Sequence, residues 1–348
     1  MIYHYFTRWA PPVSKVSLYP YDNKFSFLKY GIVWVDFFFI ISGFVIFFTF
    51  ENTADLKMFW KKRVIRLLPS VLFASLLIIV VFNIFDTADL FHNSHKIKNL
   101  LPSFTFINPT LFNNIFDTHF EYVNGSYWSL WPEVQFYLLS SLIYYFNKKD
   151  FVKNFTLVSF ILIGLNYFFQ HAQGSNKLNI ELPVAISAFY SKWIYDGFNL
   201  SNYLPFFCLG VMFYQLSKNN KENIRTSLTF KIAMAVLILF ILYSGVVTPI
   251  RLFYLGIFAI FFIFIYYPEK LGFLENPALL KVGIASYFLY LIHENLGVLI
   301  INKIGPYALP NTPLFPILVI IALSWFSVLF TEKIDLAINK WLKSKFLK

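Results

Sequence analysis

Long apolar runs separated by short, lysine-rich breaks dominate the chain. Nine runs stand out, near residues 31–50, 64–85, 127–146, 154–170, 203–217, 231–247, 251–267, 284–303 and 314–331. At about 1.5 Å of rise per residue, roughly 20 apolar residues cross the ~30 Å hydrocarbon layer of a bilayer. The pattern therefore predicts an all-α fold, a polytopic transmembrane helix bundle of about nine spans. Met1 to Trp9 reads as the tail of one more helix, so residues 1–348 are expected to form a single membrane domain that begins inside its first helix. No basic segment, short apolar stretch and cleavage site precede it as in a signal peptide.

Composition strengthens this reading. Of 348 residues 58% are hydrophobic and 14% charged, against about 25% charged in a soluble domain. Aromatic residues reach 22%, with 45 Phe, more than a water-soluble core can use, so the excess points to lipid as solvent. Cys208 is the single cysteine, which excludes a disulfide framework and a cysteine-based metal site.

A net charge of +11 could suggest nucleic acid, but the placement of the charge argues against such a partner. Segments 51–63, 147–153, 218–231, 268–283 and 332–348, together with Arg66, hold 19 of the 29 Lys and Arg. By the positive-inside rule these breaks and the C-terminus are cytoplasmic, and the long segments 86–126 and 171–202 lie outside.

Polar residues inside the apolar runs carry the candidate chemistry, because an ionisable group in a membrane is costly and is usually paired and functional. Asp36 sits early in GIVWVDFFFIISGF, where Ser42-Gly43 would let another helix approach closely. In FWKKRVIRLLP, Arg63 and Arg66 are three apart on one helix face, with Lys61 and Lys62 beside them. Guanidinium groups there suit a phosphate-bearing cytosolic ligand, or equally an anchor on anionic lipid heads. Glu133 lies in YWSLWPEVQFYLL between aromatic residues that suit a membrane interface. His293 ends ASYFLYLIH and Glu294 follows it, while His4 stands in MIYHYF. His92, His95, His119 and His171 fall in outer loops and spread too widely to suggest a metal site.

In this order and spacing, VDFFFIISGF, KRVIRLLP, WSLWPEVQFY and SYFLYLIH resemble the acyltransferase 3 family, bacterial ten-helix membrane proteins that O-acylate envelope glycans. The resemblance runs from about His4 to Glu332 in TEKI. It implies that His4 matches the family's catalytic histidine and that Arg63 and Arg66 match its Arg-x-x-Arg, linked to acyl-donor binding. It also implies an arginine upstream of that histidine, which here would precede Met1. The implied activity is O-acetyltransfer from cytosolic acetyl-CoA, a co-substrate, with no bound cofactor and no metal. The acceptor would be a lipid-linked or envelope glycan such as lipopolysaccharide O-antigen or exopolysaccharide, at the bacterial inner membrane.

On this reading His4 is the general base on a sugar hydroxyl, since imidazole titrates nearest neutrality. Asp36 or Glu133, which with His4 fall in the outer half, would orient it as the acid does in a Ser-His-Asp arrangement. His293 falls near mid-membrane, between them and the cytoplasmic Arg63 and Arg66. The competing class is a polytopic glycan transporter, flippase or polymerase. Such proteins often show internal repeats with matching broken helices, and the charged motifs here crowd the first half without second copies.

The orientation is directly testable. Single cysteines placed in 86–126 should react with an impermeant maleimide added outside, and those in 218–231 should not. The opposite pattern would reverse the direction of acyl transfer.

Overall fold

The computed structural model describes residues 1–8, 26–116, 118–174, 182–245, 247–309 and 312–347. Among these residues the fold is all helical. The main helices are α1 (Trp34–Glu51), α2 (Leu56–Phe85), α3 (Leu130–Phe146), α4 (Phe151–Gly174), α5 (Leu200–Lys221), α6 (Leu228–Ser244), α7 (Thr248–Tyr266), α8 (Pro277–Ala308), α9 (Leu314–Phe330) and α10 (Leu336–Phe346). Each of the nine apolar runs falls on one of the first nine helices.

Among the described residues six stretches are long and apolar enough to cross a membrane: Phe27–Glu51, Leu56–Phe85, Phe151–Ala172, Thr248–Tyr266, Pro277–Ala308 and Leu314–Phe346. The other three predicted spans differ for physical reasons. Helices α3 and α6 have 17 residues each, about 26 Å at helical rise. Helix α5 ends in the polar sequence QLSKNNK. The predicted tail of a preceding helix is a π-helical turn, His4–Arg8, and Trp9 lies outside the described residues.

Local signals set the helix ends. Asp55 caps α2 by accepting the Met58 N–H at 2.8 Å, and Ser227 does the same for Phe230 at the start of α6. Pro306 lies inside the last turn of α8, and Pro69 and Pro205 sit within α2 and α5.

Two apolar clusters share the interior. One gathers α1 and α3 to α7 around Phe39, Phe136, Phe207 and Phe213. The other gathers the first turn of the chain, α2, α8 and α9 around Tyr5, Phe82, Phe288 and Leu291. Trp128 and Tyr287 pack against both.

The first cluster turns on the crossing of α1 and α5. A Cβ on Gly43 would fall on the Phe207 carbonyl oxygen, and one on Gly210 would fall on the Ile40 carbonyl oxygen. The two backbones therefore touch through paired glycines, the close approach that small residues permit between helices in lipid. Gly43 thus has the packing role its position predicts. Ser42 has another, because its hydroxyl donates to Glu133 at 3.0 Å.

Substituting either crossing glycine forces backbone apart, and overpacking typically costs ~1–3 kcal/mol or more. Gly43→Leu and Gly210→Leu should each lower the thermal unfolding midpoint in detergent by several degrees or abolish accumulation. Gly164→Leu, where nothing lies within 4 Å of an added Cβ, should leave it nearly unchanged. Equal behaviour of all three would show that this crossing is not a constraint.

Candidate active site

Helix α8 supplies the centre of the site. Its stretch Leu291–Asn295 is buried on all sides, which requires every polar group there to find a partner inside the protein. The 3₁₀ segment Gly125–Ser129 and the residue before it provide those partners. The Asn124 side chain donates to the Leu291 carbonyl at 2.5 Å, and its Oδ1 accepts the Asn295 N–H at 3.4 Å. It thus engages both ends of one rung of the α8 ladder. Ser126 Oγ donates to the Tyr290 carbonyl at 3.1 Å, and the Tyr290 hydroxyl donates to the Ser126 carbonyl at 2.5 Å. Asn295 Nδ2 donates to Ser94 Oγ at 2.8 Å.

Held in this frame, Glu294 is 2% exposed and turns its carboxylate toward the first turn of the chain. His4 Nδ1 stands 3.2 Å from Glu294 Oε1, and Arg8 Nε is 3.9 Å from the same oxygen. The His4–Glu294 contact has an ion-pair distance without hydrogen-bond alignment. Gly125 makes room for the acid, because a Cβ there would meet both its oxygens at 3.0–3.1 Å. Gly297 makes room for the Tyr5 ring, whose hydroxyl donates to the His293 carbonyl at 2.6 Å.

The predicted residues separate into groups. His4 and His293 come together, with ring centroids 4.9 Å apart and an edge-to-face angle of 78°. His293 is 4% exposed, and its Nδ1 lies 2.8 Å from the Tyr290 carbonyl. That contact makes Nδ1 the protonated nitrogen and leaves Nε2 as an acceptor.

Neither carboxylate expected beside His4 is the one that meets it. Asp36 accepts the Tyr254 hydroxyl at 2.8 Å. Glu133, 5% exposed, accepts from Ser42 and from the Tyr137 hydroxyl. The physical reason is topological: Asp36 and Glu133 are on α1 and α3, whereas the first turn of the chain packs on α8. Glu294 was visible next to His293, but nothing in its spacing tied it to His4. Asn124, Asn295 and Arg8 carry no distinguishing sequence signal.

Arg63 and Arg66 share a strand of the helix surface but not an environment. Arg63 is 6% exposed, donates to Thr49 Oγ1 at 2.8 Å, and lies over the Phe59 and Tyr137 rings at 5.4 and 5.5 Å. Its Nε has no hydrogen-bond partner among the described residues. Arg66 is exposed. Three residues rotate a helix by about 300°, and the remaining offset puts one guanidinium inside the bundle and one at its edge. The flanking lysines are engaged elsewhere: Lys61 donates to the Phe346 carbonyl at 2.8 Å, and Lys62 to Thr53 Oγ1 at 3.2 Å.

A polar cavity of about 630 Å³ opens among α4 to α7, lined by Asn166, Gln170, Asn202, Tyr203, Tyr243 and Arg251. The Tyr203 ring lies 5.4 Å from that of Trp128 at a tilt of 45°, and Trp128 belongs to the same segment that frames Glu294.

Comparison with known proteins bears on what this arrangement does. One similar protein is the peptidoglycan O-acetyltransferase OatA of Listeria monocytogenes, 29% identical over 164 residues, which cover 43% of this chain and 25% of the relative. Another is the O-acetyltransferase OatA of Staphylococcus aureus, 25% identical over 181 residues, covering 47% of this chain and 29% of the relative. The aligned stretches therefore span less than a third of these relatives' length. No solved structure matches. The acyltransferase 3 family, described as an acyltransferase domain, matches residues 1–332, and the chain belongs to that family.

Proposed function

We propose that this protein is an O-acetyltransferase that moves an acetyl group from cytosolic acetyl-CoA to a hydroxyl of a cell-envelope glycan, with His4 as general base and Glu294 as its positioning acid. The contact of His4 with a buried carboxylate carries this reading. A carboxylate on Nδ1 fixes the imidazole's tautomer and orientation and leaves Nε2 to accept a proton. The acceptor hydroxyl gives its proton to Nε2 as its oxygen forms a bond to the acyl carbon. The C–S bond then breaks, and the CoA thiolate leaves and takes up the proton. Glu294 stabilises the imidazolium that exists between these events. This assignment replaces Asp36 and Glu133 as partners of His4 and leaves His293 to wall the imidazole on one side.

For the donor, Arg66 is the better phosphate ligand, because its guanidinium is exposed while Arg63 is spent on Thr49 and two rings. Arg63 shapes the floor beneath it. For the acceptor, the polar cavity offers amides for sugar hydroxyls and tyrosine rings for the apolar faces of pyranoses. The OatA relatives support a glycan acceptor in kind. Multi-pass insertion in the inner membrane with a cytoplasmic C-terminus completes the proposal, since it puts the arginines on the acyl-CoA side.

His4→Ala should lower acetyl transfer at least about a hundred-fold while acetyl-CoA still binds, because general-base catalysis contributes ~10²–10⁴-fold. Glu294→Gln should lower kcat strongly with little change in donor KM, and Asp36→Asn should have a small effect. Normal turnover in His4→Ala would remove the base from the mechanism, and a strong loss in Asp36→Asn alone would return the positioning role to that residue.

Arg66→Ala should raise the KM for acetyl-CoA about ten-fold, since a charge-assisted hydrogen bond is worth ~1.5–3 kcal/mol. Arg63→Ala should instead reduce stability, because it empties a buried position between Thr49 and two aromatic rings. Unchanged donor KM in Arg66→Ala would leave it a lipid anchor. Mass spectrometry of envelope glycans from a deletion strain should show the loss of one acetyl unit per modified residue. Glycans unchanged in acetylation but displaced between compartments would favour a transporter.

A further inference from the structure

We propose that Asp86, Asp89 and His95 form a zinc site in the loop after α2, and that the bound ion braces this loop against the part of α8 that holds Glu294. These residues lie within ten positions of one another in a spacing that matches no common metal-ligand motif, and the fold of the loop turns them toward one point. His95 Nε2 lies 3.1 Å from Asp86 Oδ2 and 3.6 Å from Asp89 Oδ1, and one ligand atom from each residue lies within 4.8 Å of the others. Zinc–nitrogen and zinc–oxygen bonds of ~2.0–2.1 Å put tetrahedral ligands about 3.4 Å apart. The two imidazole–carboxylate separations bracket that edge.

Hydrogen bonds hold each carboxylate in place, and a carboxylate oxygen that accepts one N–H keeps a further lone pair for an ion. Asp86, whose side chain is fully buried, accepts the Leu90 N–H on Oδ1 at 3.0 Å and the Phe91 N–H on Oδ2 at 3.2 Å. Burial alone would raise its carboxyl, but these bonds and the His95 ring hold it below the ordinary carboxylate range. Asp89 Oδ2 faces His92 Nδ1 at 2.8 Å, which leaves Oδ1 turned to His95. The backbone of Asp89 has φ 52°, an unfavourable region for a side-chain-bearing residue. The His95 ring packs edge-on to Phe82 at 6.0 Å. The nearby cation, Lys303, is tied to Thr87 Oγ1 at 2.8 Å rather than to either aspartate.

Two carboxylates bring a charge of about −2 to this point, which a divalent ion neutralises. An imidazole among the ligands favours zinc over calcium or magnesium, which take oxygen ligands. Three protein ligands leave a fourth position for water.

The loop is wired to the active site. Ser94, adjacent to His95, accepts from Asn295 Nδ2 at 2.8 Å and donates to the Val123 carbonyl at 2.8 Å. Asn93 Nδ2 donates to the Tyr122 carbonyl at 2.7 Å. An ion that fixes His95 therefore fixes the residue beside Glu294. This step rests on the site geometry and not on the acceptor or donor assignment above.

The test uses the full chain without a histidine tag, purified in detergent, stripped with EDTA, and titrated separately with zinc chloride and calcium chloride by calorimetry. One zinc per chain is expected, with a raised unfolding midpoint and slower amide exchange in 86–99 and 120–126. Asp89→Asn and His95→Gln should each weaken zinc binding at least ten-fold. These positions are chosen because Asp86→Asn would also disturb the Leu90 and Phe91 N–H bonds. Absence of zinc binding, equal binding in both variants, or calcium bound as tightly as zinc would overturn the site. Zinc bound without slower exchange in 120–126 would overturn the bracing. Acetyl transfer need not be measured, so failure here is distinct from failure of the proposed activity.

Discussion

A carboxylate inside a helix bundle can stay there only if donors surround it, and the cost of leaving it bare is several kcal/mol. Glu294, 2% exposed, faces this constraint, and two remote parts of the chain close around its carboxylate. His4 and Arg8 approach its Oε1 from the first turn, while Gly125 presses against it without a side chain to block the space. That geometry in turn depends on Asn124, whose amide occupies both ends of the Leu291–Asn295 rung. The carboxamide of Asn donates and accepts through one planar group, which suits this rung. Loss of this lock would free both the acid and the segment that leads into α3.

The rest of the bundle serves to keep two halves in register around that centre. The α1–α5 crossing through Gly43 and Gly210 fixes the first half by backbone contact. Glu133 joins the same structure from α3 by accepting from Ser42, one residue from the crossing glycine, and from Tyr137. Arg63 lies over the Tyr137 ring from α2. A chain of contacts thus runs from the glycine crossing through Ser42, Glu133 and Tyr137 to Arg63. In this arrangement Glu133 links α1 to α3 through Ser42 and Tyr137, and these bonds accompany its burial.

The two ends of the bundle have different chemistry. At one end Arg66 is exposed beside a lysine pair already bound to backbone and hydroxyl oxygens. At the other, an amide-lined cavity neighbours the Trp128 segment that frames Glu294. A cation at one end and sugar-compatible groups toward the other match a reaction whose two substrates differ in charge and polarity.

The apolar periodicity was legible in the sequence because burial in lipid demands it residue by residue: each of the nine runs became a helix, and the four motifs sufficed to identify the family. Helix lengths were less legible, since α3 and α6 have 17 residues each: a 3₁₀ turn over Gly125–Ser129 takes the start of the run before α3, and Ser227 caps α6. His4, Arg63 and Arg66 were singled out by residue type and motif, but their environments were not. Whether Arg63 or Arg66 turns inward depends on a rotation that spacing alone leaves open, and the packing of α2 against α3 and the end of α1 settles it. The partner of His4 was decided only by tertiary structure, because 290 residues of sequence separate it from Glu294 and no local rule links the first turn of a chain to its eighth helix. Sequence determined which groups must avoid lipid; the packing of α8 on the first turn and on Asn124 decided which of them meet.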